Sequence, residues 1–232
     1  MTIIYDLKQV VKMMPLLRSF AKNTYSLMGE DIIVLDFFNG GKVEGVYVDI
    51  GSGHPKWGSN TFLLYRCGWN GLLVDPIRKN IRMSKLLRKR DHSICAGVGS
   101  SQNQLAFYEL EPYEFSTFDK KIAESRISRK EAKLSGLYQV PIFDFGSLPM
   151  IKELDFSKPS FLNIDAEGFD LDILRTIDFE KYSFNLICVE EWKSPLEGYT
   201  HIRDFMETNE YRLIARLGTS SFYSKVQRIE KA

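Results

Sequence analysis

Several acidic side chains and a pair of glycines stand where short apolar runs end. The run Val46-Tyr47-Val48-Asp49-Ile50 passes into Gly51-Ser52-Gly53. Glycines two apart let a ligand approach the backbone, because no side chain stands in the way. A second run, Gly71–Val74, delivers Asp75 and then Pro76. An acid about 22 residues past the second glycine is where nucleotide-binding sheets place a carboxylate to accept ribose hydroxyls. Taken singly, these are a tight connection and a turn residue before proline. The order strand, Asp-x-Gly-x-Gly, helix, strand, Asp favours a nucleoside site.

The third glycine of the dinucleotide fingerprint is missing: Lys56 occupies its place, with Pro55 beside it. That weighs against a pyrophosphate and favours a smaller, zwitterionic tail. Ser59-Asn60-Thr61 can open a helix, Ser59 capping it, and N–H groups there suit a carboxylate. Adenosine with an amino-acid tail describes S-adenosylmethionine. The candidate cofactor contacts are Asp49, Gly51, Ser52, Gly53, Asn60, Thr61, Asp75 and Pro76, with Gly97 and Val98 at the end of a third run.

Later runs end in more acids. Phe161–Ile164 leads into Asp165-Ala166-Glu167-Gly168, and Leu186–Val189 into Glu190-Glu191-Trp192. In an open α/β sheet these ends share one crevice. One acid could take a proton from an attacking hydroxyl, or two or three could hold a divalent metal that acidifies it. The residues leave both open. Strand alternation turns Asp165 and Glu167 one way, pairs Cys188 with Glu190, and faces Glu191 oppositely. Catalytic candidates are Asp165, Glu167, Glu190 and His201, which heads a helix; metal candidates are Asp165, Glu190 and Glu191. Asp170 reads as a helix-start residue.

These residues need a frame. Val46–Ile50, Gly71–Val74, Ser93–Val98, Ser160–Ile164 and Leu186–Val189 read as strands buried on both faces, with crossover helices between them. Arg212–Arg216 and Ser221–Lys225 have hairpin spacing. The expected fold is α/β: a mostly parallel central sheet with an antiparallel C-terminal edge hairpin and helices on both faces. Residues 1–44 form an N-terminal helical extension, with helices over Tyr5–Met14 and Glu30–Phe38, and residues 45–232 the main domain. An insertion at about 105–140 contains a strand over Leu105–Leu110 and a solvent-facing helix over Asp119–Leu134. The seven basic residues between Arg78 and Arg90 read as a solvated helix face, and Trp69 and Trp192 as packing residues.

Composition sets the outer limits. The 232 residues carry 31 basic and 30 acidic side chains, a net charge of +1, so no global field draws in nucleic acid. No apolar run reaches the roughly 20 residues of a membrane span. Three cysteines, Cys67, Cys95 and Cys188, read as buried thiols of a reducing cytoplasm.

As an ordered set, Val46–Pro55, Ser59-Asn60-Thr61, Gly68-Trp69, Leu73–Pro76 and Ile164–Gly168 resemble the FkbM-type methyltransferases, as do Ser26 and Gly29-Glu30-Asp31 upstream. The resemblance runs from about Ser26 to Tyr223. It implies a Rossmann-like methyltransferase fold, S-adenosylmethionine as donor, and transfer to oxygen, in many members on sugars of surface polysaccharides, glycolipids or natural products. The expected partner is a small-molecule or glycan acceptor, and a homo-oligomer is compatible with the sequence. An RNA methyltransferase is the alternative, disfavoured by balanced charge and by the lack of an Asn-Pro-Pro-aromatic tetrad or Pro-Cys pair. A non-catalytic binding protein of the same fold is a third reading. A nicotinamide-dependent oxidoreductase is disfavoured by Lys56 and by the lack of an evident Tyr-x-x-x-Lys pair.

Overall fold

The computed structural model describes residues 23–100, 103–192 and 200–226. The helix expected over Tyr5–Met14 lies outside them. The strands are β1 (Val46–Ile50), β2 (Asn70–Asp75), β3 (His92–Cys95), β4 (Gly97–Val98), β5 (Gln104–Glu111), β6 (Lys133–Phe143), β7 (Ser160–Ile164), β8 (Leu186–Glu190), β9 (Tyr211–Leu217) and β10 (Ser220–Lys225). The helices are α1 (Glu30–Phe37), α2 (Phe62–Arg66), α3 (Arg78–Leu87), α4 (Lys120–Ser128), α5 (Asp170–Leu174) and α6 (His201–Thr208).

Strands β1, β7 and most of β2 and β8 are buried along their length, as apolar runs covered on both faces should be. They build a seven-stranded sheet of order β3-β2-β1-β7-β8-β10-β9. Ile50 of β1 lies beside Val74 on one side and Ile164 on the other, all parallel. Only β10 runs against its neighbours β8 and β9, so the outer arm of the hairpin is parallel to the rest. Strand order reverses between β1 and β7, and ligands of such sheets bind outside the C-terminal strand ends at that point. Gly51 and Asp165 follow those two ends. This is the Rossmann-like α/β arrangement.

Alternation along each strand sorts the core into two layers. Val46, Val48, Ile50, Leu162, Ile164, Ile187 and Val189 pack with Ile173 of α5 and Met206 of α6. Tyr47, Leu73, Phe161, Leu186 and Cys188 pack with Val34 and Phe38, Leu64 of α2, and Trp69. Helix α1 therefore helps cover the sheet itself. Its start is tied down by Asp31, which accepts from Thr24 Oγ1 (2.6 Å), Tyr25 N (2.7 Å) and Ser26 Oγ (2.9 Å).

Two expectations need correction. The run Ser93–Val98 is two strands: after Ala96 the chain leaves the main sheet, and β4 pairs with β6 in a three-stranded sheet of order β4-β6-β5. The helix expected to reach Leu134 stops at Ser128. Asp119 caps its start, accepting from Lys121 N and Ile122 N, and Lys130 (φ 58°) turns the chain out of helical conformation. Leu134 then belongs to β6, which pairs antiparallel with β5. Its alternation was masked because only its second half, around Val140 and Ile142, is buried. Of the cysteines, only Cys188 is buried; Cys67 and Cys95 are half-buried.

Candidate active site

The turn after β1 is held from both sides. Gly51 N and Ser52 N donate to Val74 O (2.9 and 3.1 Å), and Asp165 N donates to Ile50 O (3.0 Å). Gly51 has φ +75°, and a Cβ there would lie 1.8 Å from the Asp165 carbonyl oxygen. Gly53 has φ +55° but open space where its Cβ would be, the nearest atom being Gly51 O at 4.0 Å. Ser52 Oγ is buried and has no hydrogen-bond partner among the described residues. An open glycine face beside an orphaned buried hydroxyl is a cradle that fits the tail of a nucleoside ligand.

Asp75 ends β2 at 4% exposure. Its Oδ2 accepts from Gly53 N (2.8 Å), and its Oδ1 from Ile77 N (2.7 Å) and Asn80 Nδ2 (3.3 Å). A carboxylate offers about four lone-pair sites, so Asp75 has room for one further hydroxyl, and a second must displace Asn80, its longest bond. That narrows the expectation that it accepts a whole diol. Burial pushes its pKa up to about 6, against the pull of these hydrogen bonds.

Asp49 and Thr61, expected to contact the cofactor, are buried and hydrogen-bonded to each other inside the protein. Asp49 Oδ2 accepts from Thr61 Oγ1 (2.5 Å) and Oδ1 from Asn163 Nδ2 (2.9 Å). Thr61 Oγ1 in turn accepts from Nη1 and Nη2 of Arg88, both at 3.0 Å. Arg88, expected on a solvated face, is fully buried. Its Nε pairs with Asp91 (2.6 Å), its Nη2 donates to Tyr47 OH (2.8 Å), and its Nη1 reaches Ser59 Oγ (3.3 Å). Ser59 Oγ also accepts from Phe62 N (3.1 Å), the first residue of α2, although the N-cap position itself is held by Thr61. A buried arginine thus braces the loop from the glycine turn to α2 from beneath. Asn60 remains at the surface of this brace and donates to Asn163 Oδ1 (3.0 Å).

The later acids meet around a polar cavity of about 70 Å³, lined by Glu30, Asn60, Asn163, Asp165, Cys188 and Glu190 among others. Glu190 and Cys188 share it, as alternation requires. Glu190 Oε1 accepts weakly from Thr219 Oγ1 (3.4 Å), while Oε2 is buried with no hydrogen-bond partner among the described residues. Burial and the charges of Asp170 and Glu167 push Glu190 up to about 7. Asp165 opens to solvent at the mouth. Desolvation by the surrounding walls, then the charges of Glu190, Asp170, Glu167 and Asp49, push its pKa up from its ordinary value.

Glu167 does not point with Asp165. The chain leaves strand geometry after Ile164, and Glu167, with φ 52°, pairs with Arg126 Nη2 (3.6 Å). Asp170 accepts from Ala166 N and Gly168 N, holding that turn (3.2 and 3.1 Å). Glu191 faces away from Glu190, its oxygens accepting from Thr200 Oγ1 (2.8 Å) and Tyr223 OH (2.7 Å). Among the described residues no group of three or more His, Cys, Asp or Glu is arranged to hold a metal ion. His201 is exposed at the start of α6, beyond Thr200, and does not line the cavity. Gly97 and Val98 are buried in β4, where a Cβ on Gly97 would lie 2.7 Å from Ile142 Cδ1; packing accounts for that glycine. Pro76 follows Asp75 and offers its carbonyl to Cys95 Sγ and Tyr138 OH, both at 3.3 Å. Trp69 is buried as expected, but Trp192 is 71% exposed just beyond Glu190, not packed.

Three contributors escaped the sequence reading. Asn163 sits mid-strand among apolar residues, and a polar residue in a strand buried on both faces is a signal that was there to be read. Glu30 was noticed only through its resemblance and reaches the cavity from the start of α1. Arg88 looked like any other basic residue of a charged helix, and nothing local marks it as buried.

The profile of the methyltransferase FkbM domain matches residues 49–213. No curated protein matches the sequence. Among solved structures, a TehB-like SAM-dependent methyltransferase from Corynebacterium glutamicum is similar at 11% identity and a TM-score of 0.40, covering 94% of this chain and 97% of its own. A SAM dependent methyltransferase from Aquifex aeolicus gives 13% and 0.43, covering 86% and 91%. The 1,6-didemethyltoxoflavin-N1-methyltransferase of Burkholderia thailandensis, solved with S-adenosylhomocysteine, gives 8% and 0.44, covering 95% and 87%. Likenesses this distant carry no argument about the site.

Proposed function

The chain belongs to the FkbM methyltransferase family, enzymes dependent on S-adenosylmethionine, and from that premise we propose that it methylates a hydroxyl of a sugar. The sugar is carried by a nucleotide, a surface polysaccharide or a glycolipid. The observation that carries this reading is Glu190: a carboxylate held near 7, with one buried oxygen accepting no hydrogen bond among the described residues, on a cavity lined mostly by polar side chains. A base poised near working pH is what abstraction of an alcohol proton calls for.

When bound, S-adenosylmethionine supplies a methyl group already activated on a sulfonium centre. Gly51, Ser52 and Gly53 would hold its tail, and Asp75 a ribose hydroxyl. The chain's own tasks are alignment and proton removal. Glu190 Oε2 takes the proton as the acceptor oxygen loses it. Asn60 and Asn163 present amides to the acceptor's other hydroxyls. Glu30, Asp165 and Glu190 make the crevice unwelcoming to phosphates, which favours a neutral reacting end over an RNA strand. We place the reaction in the cytoplasm, whose reducing state suits unpaired cysteines; among the described residues no helix is long and apolar enough to cross a membrane.

Incubation with methyl-labelled S-adenosylmethionine and a panel of nucleotide-sugars, oligosaccharides and RNA tests the reading. A sugar product heavier by one methyl group, lost in Glu190→Gln, is the expected result. Label in RNA alone would replace it.

A further inference from the structure

A chain of hydrogen bonds runs from the buried Arg88 to the cavity, and each link fixes the direction of the next. A guanidinium only donates. Nη1 and Nη2 of Arg88 both donate to Thr61 Oγ1 at 3.0 Å, which occupies the two lone pairs of that hydroxyl. Its proton is left for Asp49 Oδ2 at 2.5 Å, well inside the 3.3 Å to Ser59 Oγ. An ionised carboxylate only accepts, so Asn163 turns its Nδ2 to Asp49 Oδ1 (2.9 Å) and keeps its Oδ1 for Asn60. Asn60 Nδ2 donates to that oxygen (3.0 Å).

Asp49, Thr61, Arg88 and Asn163 are all buried, whereas Asn60 is half-buried and lines the cavity with Glu190. The Asn60 Nδ2 is committed inward, and its Oδ1 makes no hydrogen bond among the described residues. An asparagine is ordinarily free to offer either end of its amide; this one has its oxygen to offer. Glu190 Oε2, unpartnered among the described residues, is an acceptor on the same cavity. Two acceptors call for two donors, which a pair of hydroxyls supplies and a keto, ether or ester oxygen does not.

We propose that Asn60 is a specificity-determining residue: its Oδ1, aimed by Arg88 through Thr61, Asp49 and Asn163, accepts from a second, unsubstituted hydroxyl of the sugar, beside the one that is methylated. The inference rests on the sugar reading above and deepens it, naming a free diol as the substrate class.

The sugar found in the labelling assay is compared with analogues carrying hydrogen or fluorine in place of each other hydroxyl in turn. One deoxy analogue should show a KM about fivefold to tenfold higher, and fluorine at that position should restore none of it, because fluorine cannot donate. Asn60→Ala should bring the parent sugar to the same KM and erase the discrimination, with S-adenosylhomocysteine affinity within about twofold of wild type. Asp49→Asn reverses the chain: the new amide takes the Thr61 proton on its oxygen and donates to Asn163, so Asn60 shows its N–H groups. The fluoro analogue should then recover to within about twofold of the parent, and D49N/N60D, which puts an acceptor back, should restore the preference for the hydroxyl. In a urea melt D49N/N60D should unfold at higher urea than N60D, and that gain should vanish when Asn163→Leu cuts the chain. If Asp49→Asn does not fold, the analogues and Asn60→Ala still decide. Rescue by fluorine in the wild type, discrimination kept in Asn60→Ala, or a loss confined to cofactor affinity overturns the proposal. A panel with no methylated sugar overturns the reading beneath it, and the urea melts, which need no sugar, keep that failure distinct from a failure of the chain.

Discussion

A Cβ placed on Gly51 would lie 1.8 Å from the carbonyl oxygen of Asp165, so the ligand turn of β1 and the acid turn of β7 are in direct backbone contact. Their separation is set by the absence of one methyl group. Cofactor binding and acid placement are therefore parts of one construction.

Gly51 and Gly53 should respond differently to alanine. Gly51→Ala must push two strand ends apart and should lose on the order of 3 kcal/mol of stability or fail to fold. Gly53→Ala meets open space and costs only left-handed strain, roughly 1–2 kcal/mol, yet should abolish S-adenosylhomocysteine uptake by filling the cradle. Urea melts and calorimetry separate the two. Equal stability losses would mean that the turn is braced otherwise.

Asp75 should make cofactor affinity pH-dependent. With its pKa near 6, the carboxylate accepts freely above about pH 7 and loses that capacity as pH falls through about 6. Affinity should be flat on the alkaline side and decline below. Asp75→Asn should bind about 10- to 100-fold more weakly, as expected for losing a hydrogen bond to a charged group, and without the acid limb.

Glu190→Gln should trade activity for stability. Turnover should drop by about 10²–10⁴-fold and lose its rise through pH 7. Burial raises this pKa above its unfolded value, so the folded state favours the proton. The stability this contributes is full below the unfolded pKa and is lost as pH rises through about 7. Removing the charge should thus raise stability at pH 8 by on the order of 1–2 kcal/mol, with little change at pH 4. A variant destabilised at pH 8 would contradict the burial cause.

Arg88→Met should cost about 3–5 kcal/mol in a urea melt, because Asp91 stays buried without its cation. Arg88→Lys should recover little, since one ammonium cannot reach Asp91, Tyr47, Ser59 and Thr61 together. Wild-type stability in either variant would show that the brace is dispensable.

The sheet was readable because its strands are buried on both faces, and apolar runs such as Val46–Ile50 and Ser160–Ile164 record burial directly. Strand β6 was not, since an insertion strand exposed over half its length shows neither a continuous run nor clean alternation. Within the site, Asp75 and Glu190 were legible as strand-end acids. The internal bonds of Asp49 were not legible because its partners, Thr61 and Asn163, are 12 and 114 residues away and only folding brings them near. Glu167 was misdirected by the assumption that β7 continues past Ile164, where the left-handed turn ends it.

The most direct test of the account is a crystal structure of the protein with S-adenosylhomocysteine. It should show a ribose hydroxyl on the Asp75 carboxylate and the amino-acid tail over Ser52–Gly53, with its sulfur directed toward the cavity of Glu190. A nucleoside seated away from the ends of β1 and β2 would contradict it.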